Sequence, residues 1–98
     1  MGKFVLVYKG GSIPQTDEEQ KRVMDAWTAW FGSLGESVVD IGNPFGPSAA
    51  VGGGSTSGLT GYSILTADSL NDALAKAGGC PILDGANGGI EVYETLEM

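Results

Sequence analysis

The side chains in this sequence that could do chemistry are carboxylates, tyrosines and lysines, because the chain contains no histidine. Without histidine, general acid–base catalysis depends on a carboxyl, phenol or amine group whose pKa is shifted by its surroundings. Asp40 is one candidate, since it interrupts an apolar segment and would need a partner or a raised pKa if buried. The adjacent pair Tyr8 and Lys9 ends an apolar run and could bind an anion or transfer a proton.

Each of these residues also has a structural interpretation. Asp40 can be hydrogen-bonded or exposed at a sheet edge, and the Tyr8 hydroxyl can simply reach water or backbone. The segment Gly-Asn-Pro-Phe-Gly-Pro at 42–47 is typical of a defined turn, in which the prolines restrict φ and Phe45 packs into the core. The same segment could form one wall of a cleft. The predicted ligand-binding candidates are therefore Tyr8, Lys9, Asp40, Asn43, Phe45 and Tyr62.

Cofactor and metal sites are not predicted. Residues 42–58 are rich in glycine, but they lack the Gly-Lys-Ser/Thr ending of a phosphate-binding loop. The carboxylates show no ligand spacing, and there is no histidine to join them. Cys80 is the only cysteine and follows a predicted helix end, so it is interpreted as a buried or half-buried structural thiol.

The charge of the chain argues against two classes of partner. Five Lys and Arg residues stand against twelve Asp and Glu, a net charge of −7, without a basic stripe. Nucleic acids and anionic membrane surfaces are bound largely through clustered Lys and Arg, so neither is an expected partner. No apolar run approaches the ~20 residues of a membrane span, and no signal peptide is visible. We expect one cytoplasmic domain covering residues 1–98.

The first strand and the first helix have the clearest signals. Residues 4–8 are continuously apolar, which is typical of a strand covered on both faces. Thr16 and Glu19 have the spacing of a capping box, in which the Glu19 side chain reaches back to the Thr16 N–H. An apolar stripe of helical period follows and predicts a helix at 16–34; it consists of Val23, Trp27, Trp30 and Leu34, with Met24 and Phe31 beside them. Its aromatic residues Trp27, Trp30 and Phe31 could line an aromatic pocket, but they are interpreted as core, with Trp30 partly accessible at the margin of the stripe.

The other predicted elements complete a β-α-β-β-α-β order. They are a strand at 36–41, a long loop at 42–58, a strand at 59–66, a helix opened by Asp68 and Ser69, and a strand at 90–96. Leu70, Ala73, Leu74 and Ala77 are the predicted buried stripe of the second helix, and Ile90, Val92 and Leu96 share one face of the last strand. Right-handed crossovers then place both helices on one face of a four-stranded antiparallel sheet, a ferredoxin-like α+β fold. The apolar second face of that sheet favours a symmetric partner as its cover.

Nearly the whole chain resembles the YCII-related family, also named after a DGPF motif, within the dimeric α/β-barrel superfamily. The resemblance rests on the strand ending at Tyr8 and on segments 26–31, 34–35, 42–47, 61–64, 67–70, 79–81 and 90–94. It implies a homodimer in which two sheets pack face to face. A His–Asp pair has been proposed as the active site of some members, and this chain has no histidine to supply it.

Three functions stay open on these grounds. The leading hypothesis is a dimeric domain that binds a small molecule in a cleft between the sheet and the 42–58 loop. The second is a small enzyme that uses a carboxylate or the Tyr/Lys pair for acid–base chemistry. The third is a structural or regulatory interaction dimer, since ferredoxin-like domains host many functions.

Overall fold

The structure is a computed structural model that describes residues 2–10, 15–54, 58–84 and 88–96. Its elements are β1 (Gly2–Lys9), α1 (Asp17–Leu34), β2 (Val38–Asp40), β3 (Leu59–Ala67), α2 (Leu70–Ala77) and β4 (Gly89–Glu94), with short 3-10 helices at Gly35–Ser37 and Pro81–Asp84. The tip of the predicted glycine-rich loop, at 55–57, lies outside the described residues.

One antiparallel sheet contains the four strands in the order β2-β3-β1-β4. The predicted α+β class, the four-stranded antiparallel sheet and the two helices are confirmed, and the arrangement is compatible with a ferredoxin-like fold. β1 lies in the middle because its uninterrupted apolar run tolerates neighbours on both edges and cover on both faces.

The two faces of the sheet differ in how much they are covered. Phe4, Leu6 and Tyr8 point to the helices and are buried, whereas Val5 and Val7 alternate with them and are only half-buried. The register of β3 and β4 follows the same alternation. The face opposite the helices carries Val5, Val7, Tyr62 and Ile64, and is called the helix-free face below.

Helix α1 begins as its sequence predicts and packs differently from the prediction. The Thr16 side chain accepts a hydrogen bond from the Glu19 N–H, but the Glu19 carboxylate binds the N–H of Gln15, one residue before the predicted Thr16. The expectation that Trp30 is partly accessible was wrong: it is the buried residue of α1. Its indole N–H donates to the Lys76 carbonyl oxygen at 3.1 Å, which holds the ring under α2.

The first half of α1 stands clear of the core. Residues 17–26 are all exposed, and Met24 is 62% exposed although it belongs to the predicted apolar stripe. The anchoring contacts come later, from Trp27, Trp30 and Phe31. A space therefore remains between the middle of α1 and the sheet.

Helix α2 packs through its small residues. Ser69 caps it by accepting from the Asp72 N–H, as its sequence predicts. Ala73 and Ala77 are buried, but Leu70 and Leu74 are 44% and 50% exposed, so the predicted stripe was only half correct. Because alanine is small, the backbone of α2 can lie close to the sheet at Ala73 and Ala77. Leu70 and Leu74 then lie at the sides of this contact and stay partly exposed.

The edge strands are shorter than the sequence predicts. Residues 35–37 form a 3-10 turn, so β2 has three residues only. β4 ends at Glu94, and Leu96, predicted to share the face of Ile90 and Val92, is 82% exposed beyond the strand. No helix among the described residues has the length and apolar character needed to cross a membrane.

Candidate functional site

A cavity of about 560 Å³ lies between α1, the chain that follows β2 and the first half of β3. This volume is within the range of pockets that hold small organic molecules. Its described lining residues are Tyr8, Met24, Trp27, Thr28, Phe31, Ile41, Gly42, Asn43, Pro44, Thr60, Gly61, Tyr62, Ser63 and Ile82. None of them carries a formal charge at neutral pH, so the cavity is an apolar site with a few hydroxyl and amide groups.

Aromatic rings form the wall on the α1 side. Trp27 and Phe31 are four residues apart and therefore project from the same side of the helix. The Trp27 ring meets the Tyr8 ring edge-on, with centroids 5.1 Å apart, and lies 5.9 Å from the Phe31 ring. Such contacts fix ring orientation and add about 0.5–1.5 kcal/mol per pair beyond area burial. The wall is consequently preorganised, while the exposed Met24 stands at the open side.

Two consecutive hydrogen bonds connect residues of the cavity lining. The Tyr8 hydroxyl donates to Ser63 Oγ at 2.7 Å, and the Ser63 hydroxyl donates to the Ile41 carbonyl oxygen at 2.7 Å. Burial raises the pKa of Tyr8 to about 12, an effect only partly offset by the bond to Ser63. The Tyr8 phenol is therefore neutral at physiological pH, and this arrangement does not favour it as a general base.

The strap, defined as residues 42–45, closes the cavity along the edge of β3. The Asn43 backbone carbonyl oxygen accepts a hydrogen bond from the Tyr62 N–H at 3.4 Å, and the Phe45 N–H donates to the Thr60 carbonyl oxygen at 2.9 Å. Pro44 is thereby bridged to Gly61 in antiparallel fashion, as a short continuation of the sheet beyond β2. The strap is thus held by backbone hydrogen bonds, which position Pro44 over the cavity.

Gly42 allows the chain to turn into the strap. Its φ is +77°, and a β-carbon built on it would lie 1.6 Å from the Tyr62 carbonyl oxygen. Only glycine has both the conformational freedom and the space for this crossing. The Asp40 carboxylate supports the turn by accepting the Gly42 N–H at 2.8 Å. Asp40 is exposed and binds backbone, which matches the structural interpretation of this residue.

The structure brings together three of the six sequence-predicted site residues. Tyr8, Asn43 and Tyr62 border the cavity, whereas Lys9, Asp40 and Phe45 are absent from its described lining. Phe45 is 44% exposed instead of packed in the core, because its ring stacks on that of Tyr62 with centroids 5.8 Å apart. Strand alternation accounts for this position, since Tyr62 projects to the helix-free face.

Lys9 belongs to a different group of residues, on the helix-free face. Its amine lies 3.2 Å from Glu91, and the Tyr93 hydroxyl donates to the same carboxylate. The bonds from Tyr93 and Lys9 lower the pKa of Glu91, and the bond to Glu91 raises the pKa of Tyr93. Lys9 is thus paired with a carboxylate across the sheet from the cavity, away from Tyr8.

Sequence reasoning missed several lining residues: Met24, Thr28, Ser63 and Ile82. The contribution of Ser63 could have been predicted from the sequence. Ser63 is a polar residue at a core-facing position between Gly61 and Leu65 and is fully buried, so it had to find a hydrogen-bond partner. Met24 and Thr28 lay on the predicted helix, but their sequence does not reveal that α1 stands off the sheet there. Ile82 reaches the cavity through a 3-10 turn that was not predicted.

Within the described ranges, no group of three or more His, Cys, Asp or Glu side chains could hold a metal ion. Comparison with known proteins found no matching family model, curated protein or solved structure. The geometry and polarity of the cavity are therefore the evidence from which a function can be inferred.

Proposed function

We propose that this protein binds a small, mainly apolar molecule in the cavity between α1, β3 and the strap. The observation that carries the proposal is the lining itself: about 560 Å³ bordered by aromatic rings and methionine, with no charged residue among the described members. Pockets that hold small molecules are concave and mostly apolar, with few polar groups that orient the ligand. The Tyr8–Ser63 pair supplies such groups at the inner end.

The geometry gives less support to the acid–base enzyme. Tyr8 stays protonated, Lys9 is paired with Glu91 on the opposite face, and the Asp40 carboxylate caps a turn. A general base must be within hydrogen-bond reach of the proton that it abstracts. No carboxylate of the described lining occupies such a place in the cavity.

Binding of N-phenyl-1-naphthylamine, an uncharged probe whose emission rises in apolar surroundings, tests the proposal. We expect saturable binding to the wild type and its loss in Met24→Trp, which fills the open side of the cavity from an exposed position. The control is Ala29→Trp on the same helix, at an exposed residue outside the lining. Equal binding by both variants would place the probe elsewhere and contradict the proposal.

A second candidate, compatible with the first, is pairing of the helix-free face with a second copy of the chain. Val5, Val7, Tyr62 and Ile64 make this face apolar at its centre, and the described helices leave it uncovered. A contiguous apolar surface of this kind marks an interaction site. Such pairing is the dimeric α/β-barrel arrangement that a relationship to the YCII-related family implies, and family membership is part of this proposal.

Light scattering over a dilution series tests the pairing. A mass near twice 10.0 kDa that persists on dilution is the expected result. A monomer at all concentrations would remove the barrel arrangement and leave the ligand cavity unaffected, because the cavity lies within one copy.

A further inference from the structure

We infer that the cavity selects an uncharged ligand that presents an O–H or N–H donor to the oxygen of Tyr8. The inference rests on the proposed function and adds the polarity of the ligand to it. It comes from the direction of the hydrogen bonds made by the hydroxyl groups of the cavity wall, which determines whether these hydroxyls have a donor or an acceptor left for a bound molecule.

The hydroxyl hydrogens of the wall are already used within the protein. Tyr8 donates to Ser63, Ser63 to the Ile41 carbonyl (both 2.7 Å), Thr28 to the Met24 carbonyl (2.9 Å) and Thr60 to the Tyr8 carbonyl (3.2 Å). The remaining lining residue with a hydroxyl is Tyr62, whose ring stacks on Phe45 at the helix-free face. These four hydroxyls can therefore offer a ligand lone pairs and no hydrogen.

Tyr8 is the hydroxyl best placed to use a lone pair. A phenol oxygen that donates one hydrogen bond can still accept another. In the described part of the chain, the hydrogen bond of the Tyr8 hydroxyl is the one that it donates to Ser63. The residue is 5% exposed and packs edge-on against the Trp27 ring, so an accepted hydrogen bond would form in a largely apolar setting. There it is stronger than in water.

Charge at the cavity argues for a neutral ligand. A carboxylate or phosphate moved into this site would lose water without gaining a cationic partner, because no Lys or Arg belongs to the described lining. Lys9 of β1 and Lys76 of α2 are paired with Glu91 and Asp72. An organic cation would likewise find no carboxylate there.

Three ligands with one ring system separate these properties: 2-naphthylmethanol, its methyl ether and 2-naphthoate, each titrated by calorimetry. The ether keeps the oxygen and loses the donor, and the naphthoate adds a negative charge. Since one hydrogen bond contributes about 0.5–1.5 kcal/mol, the alcohol should bind about 2- to 10-fold more tightly than the ether. The naphthoate should bind more weakly than both.

Two variants assign the selectivity to Tyr8. In Tyr8→Phe the preference for the alcohol should disappear while the affinity for the ether is retained, which also shows that the cavity is intact. In Ser63→Ala the Tyr8 hydroxyl loses its acceptor and can turn its hydrogen to the ligand, so the ether should gain affinity relative to the alcohol. Tyr93→Phe is the matched control on the helix-free face and should keep the wild-type ratio.

The outcomes distinguish this inference from the proposed function. If the alcohol and the ether bind equally to the wild type, or if the preference survives in Tyr8→Phe, the inference is overturned and ligand binding still stands. Tighter binding of the naphthoate would overturn it as well. If none of the three compounds binds, the cavity is not a site for such molecules. That result would overturn both this inference and the proposed ligand binding.

Discussion

The α-carbon of Gly42 faces the carbonyl oxygen of Tyr62 so closely that a β-carbon on Gly42 would lie 1.6 Å from that oxygen. This contact is where the chain leaves β2 and continues along the edge of β3 as the strap. Neither atom can move alone, because the Tyr62 N–H is itself bonded to the strap at Asn43. The shape of the candidate site thus depends on the absence of a β-carbon at residue 42.

Gly42→Ala should therefore displace the strap. The added methyl group and the positive φ together should lower the free energy of unfolding by about 3 kcal/mol or more, and weaken binding of N-phenyl-1-naphthylamine. Urea denaturation and probe titration measure the two effects. Gly46→Ala is the control, since its added methyl group would meet nothing within 4 Å. Similar stabilities for the two variants would show that the crossing is not constrained as described.

Trp30 should contribute more to stability than Trp27, although both belong to the same helix face. Trp30→Phe removes a buried ring system and the hydrogen bond to the Lys76 carbonyl, and we expect a loss of about 2–3 kcal/mol. Trp27→Phe changes a half-buried residue and should cost clearly less. Urea denaturation of both variants gives the comparison, and an equal or reversed order would contradict the packing of α1.

Alkaline pH should destabilise the protein through Tyr8. Its pKa is raised from 10.0 to about 12 in the folded state, so the protein favours the protonated phenol more than the unfolded chain does. This stabilisation is complete below about pH 10 and is lost as the pH rises through 12, by about 3 kcal/mol in total. Denaturation at several pH values measures the slope. Tyr8→Phe should have a shallower slope over the same interval.

Substitution on the helix-free face should separate the two copies if they pair there. Val7→Lys introduces a charge at the centre of that face, next to its cross-strand neighbours Tyr62 and Glu91. Val51→Lys makes the same change at a fully exposed loop residue and serves as the control. Light scattering should give a monomer for the first and a dimer for the second. A dimer that persists in Val7→Lys would move the interface to another surface.

Asp40 should stabilise the turn at Gly42 that leads into the strap, and it should not contact the ligand. Asp40→Ala removes the acceptor for the Gly42 N–H, which is an exposed contact, and should cost about 0.5–1 kcal/mol of stability. Probe affinity should change less than twofold. A complete loss of binding with unchanged stability would instead assign Asp40 to the ligand, as one interpretation of its sequence position allows.

Local signals were sufficient for most elements. Thr16 and Ser69 cap α1 and α2 because a side-chain oxygen three residues before a free N–H satisfies it whatever the rest of the chain does. The apolar run at 4–8 predicted the first strand, because a continuous run of β-branched and aromatic residues is typical of a strand. Such signals depend only on neighbours in the sequence.

The cavity could not be predicted in the same way. Trp27, Trp30 and Met24 all belong to the apolar side of α1 in the helical pattern, yet Trp27 forms part of the cavity wall, Trp30 is buried under α2 and Met24 is an exposed residue at the cavity. Their difference comes from the angle at which α1 leaves the sheet and from the bond between Trp30 and Lys76, a residue 46 positions away. The helical pattern shows which face of α1 is apolar, but it does not show how far that face lies from the sheet.

The sequence by itself determined the order of elements, the caps and the first strand, because these follow from contacts between near neighbours and from local apolar patterns. Only the tertiary structure decided that Tyr8 bonds to Ser63, that Lys9 pairs with Glu91 on the other face, and that the strap closes over β3 at Gly42. Those relationships join residues dozens of positions apart. They depend on strand register and helix placement, and a shift of one residue would reverse the face on which each side chain lies.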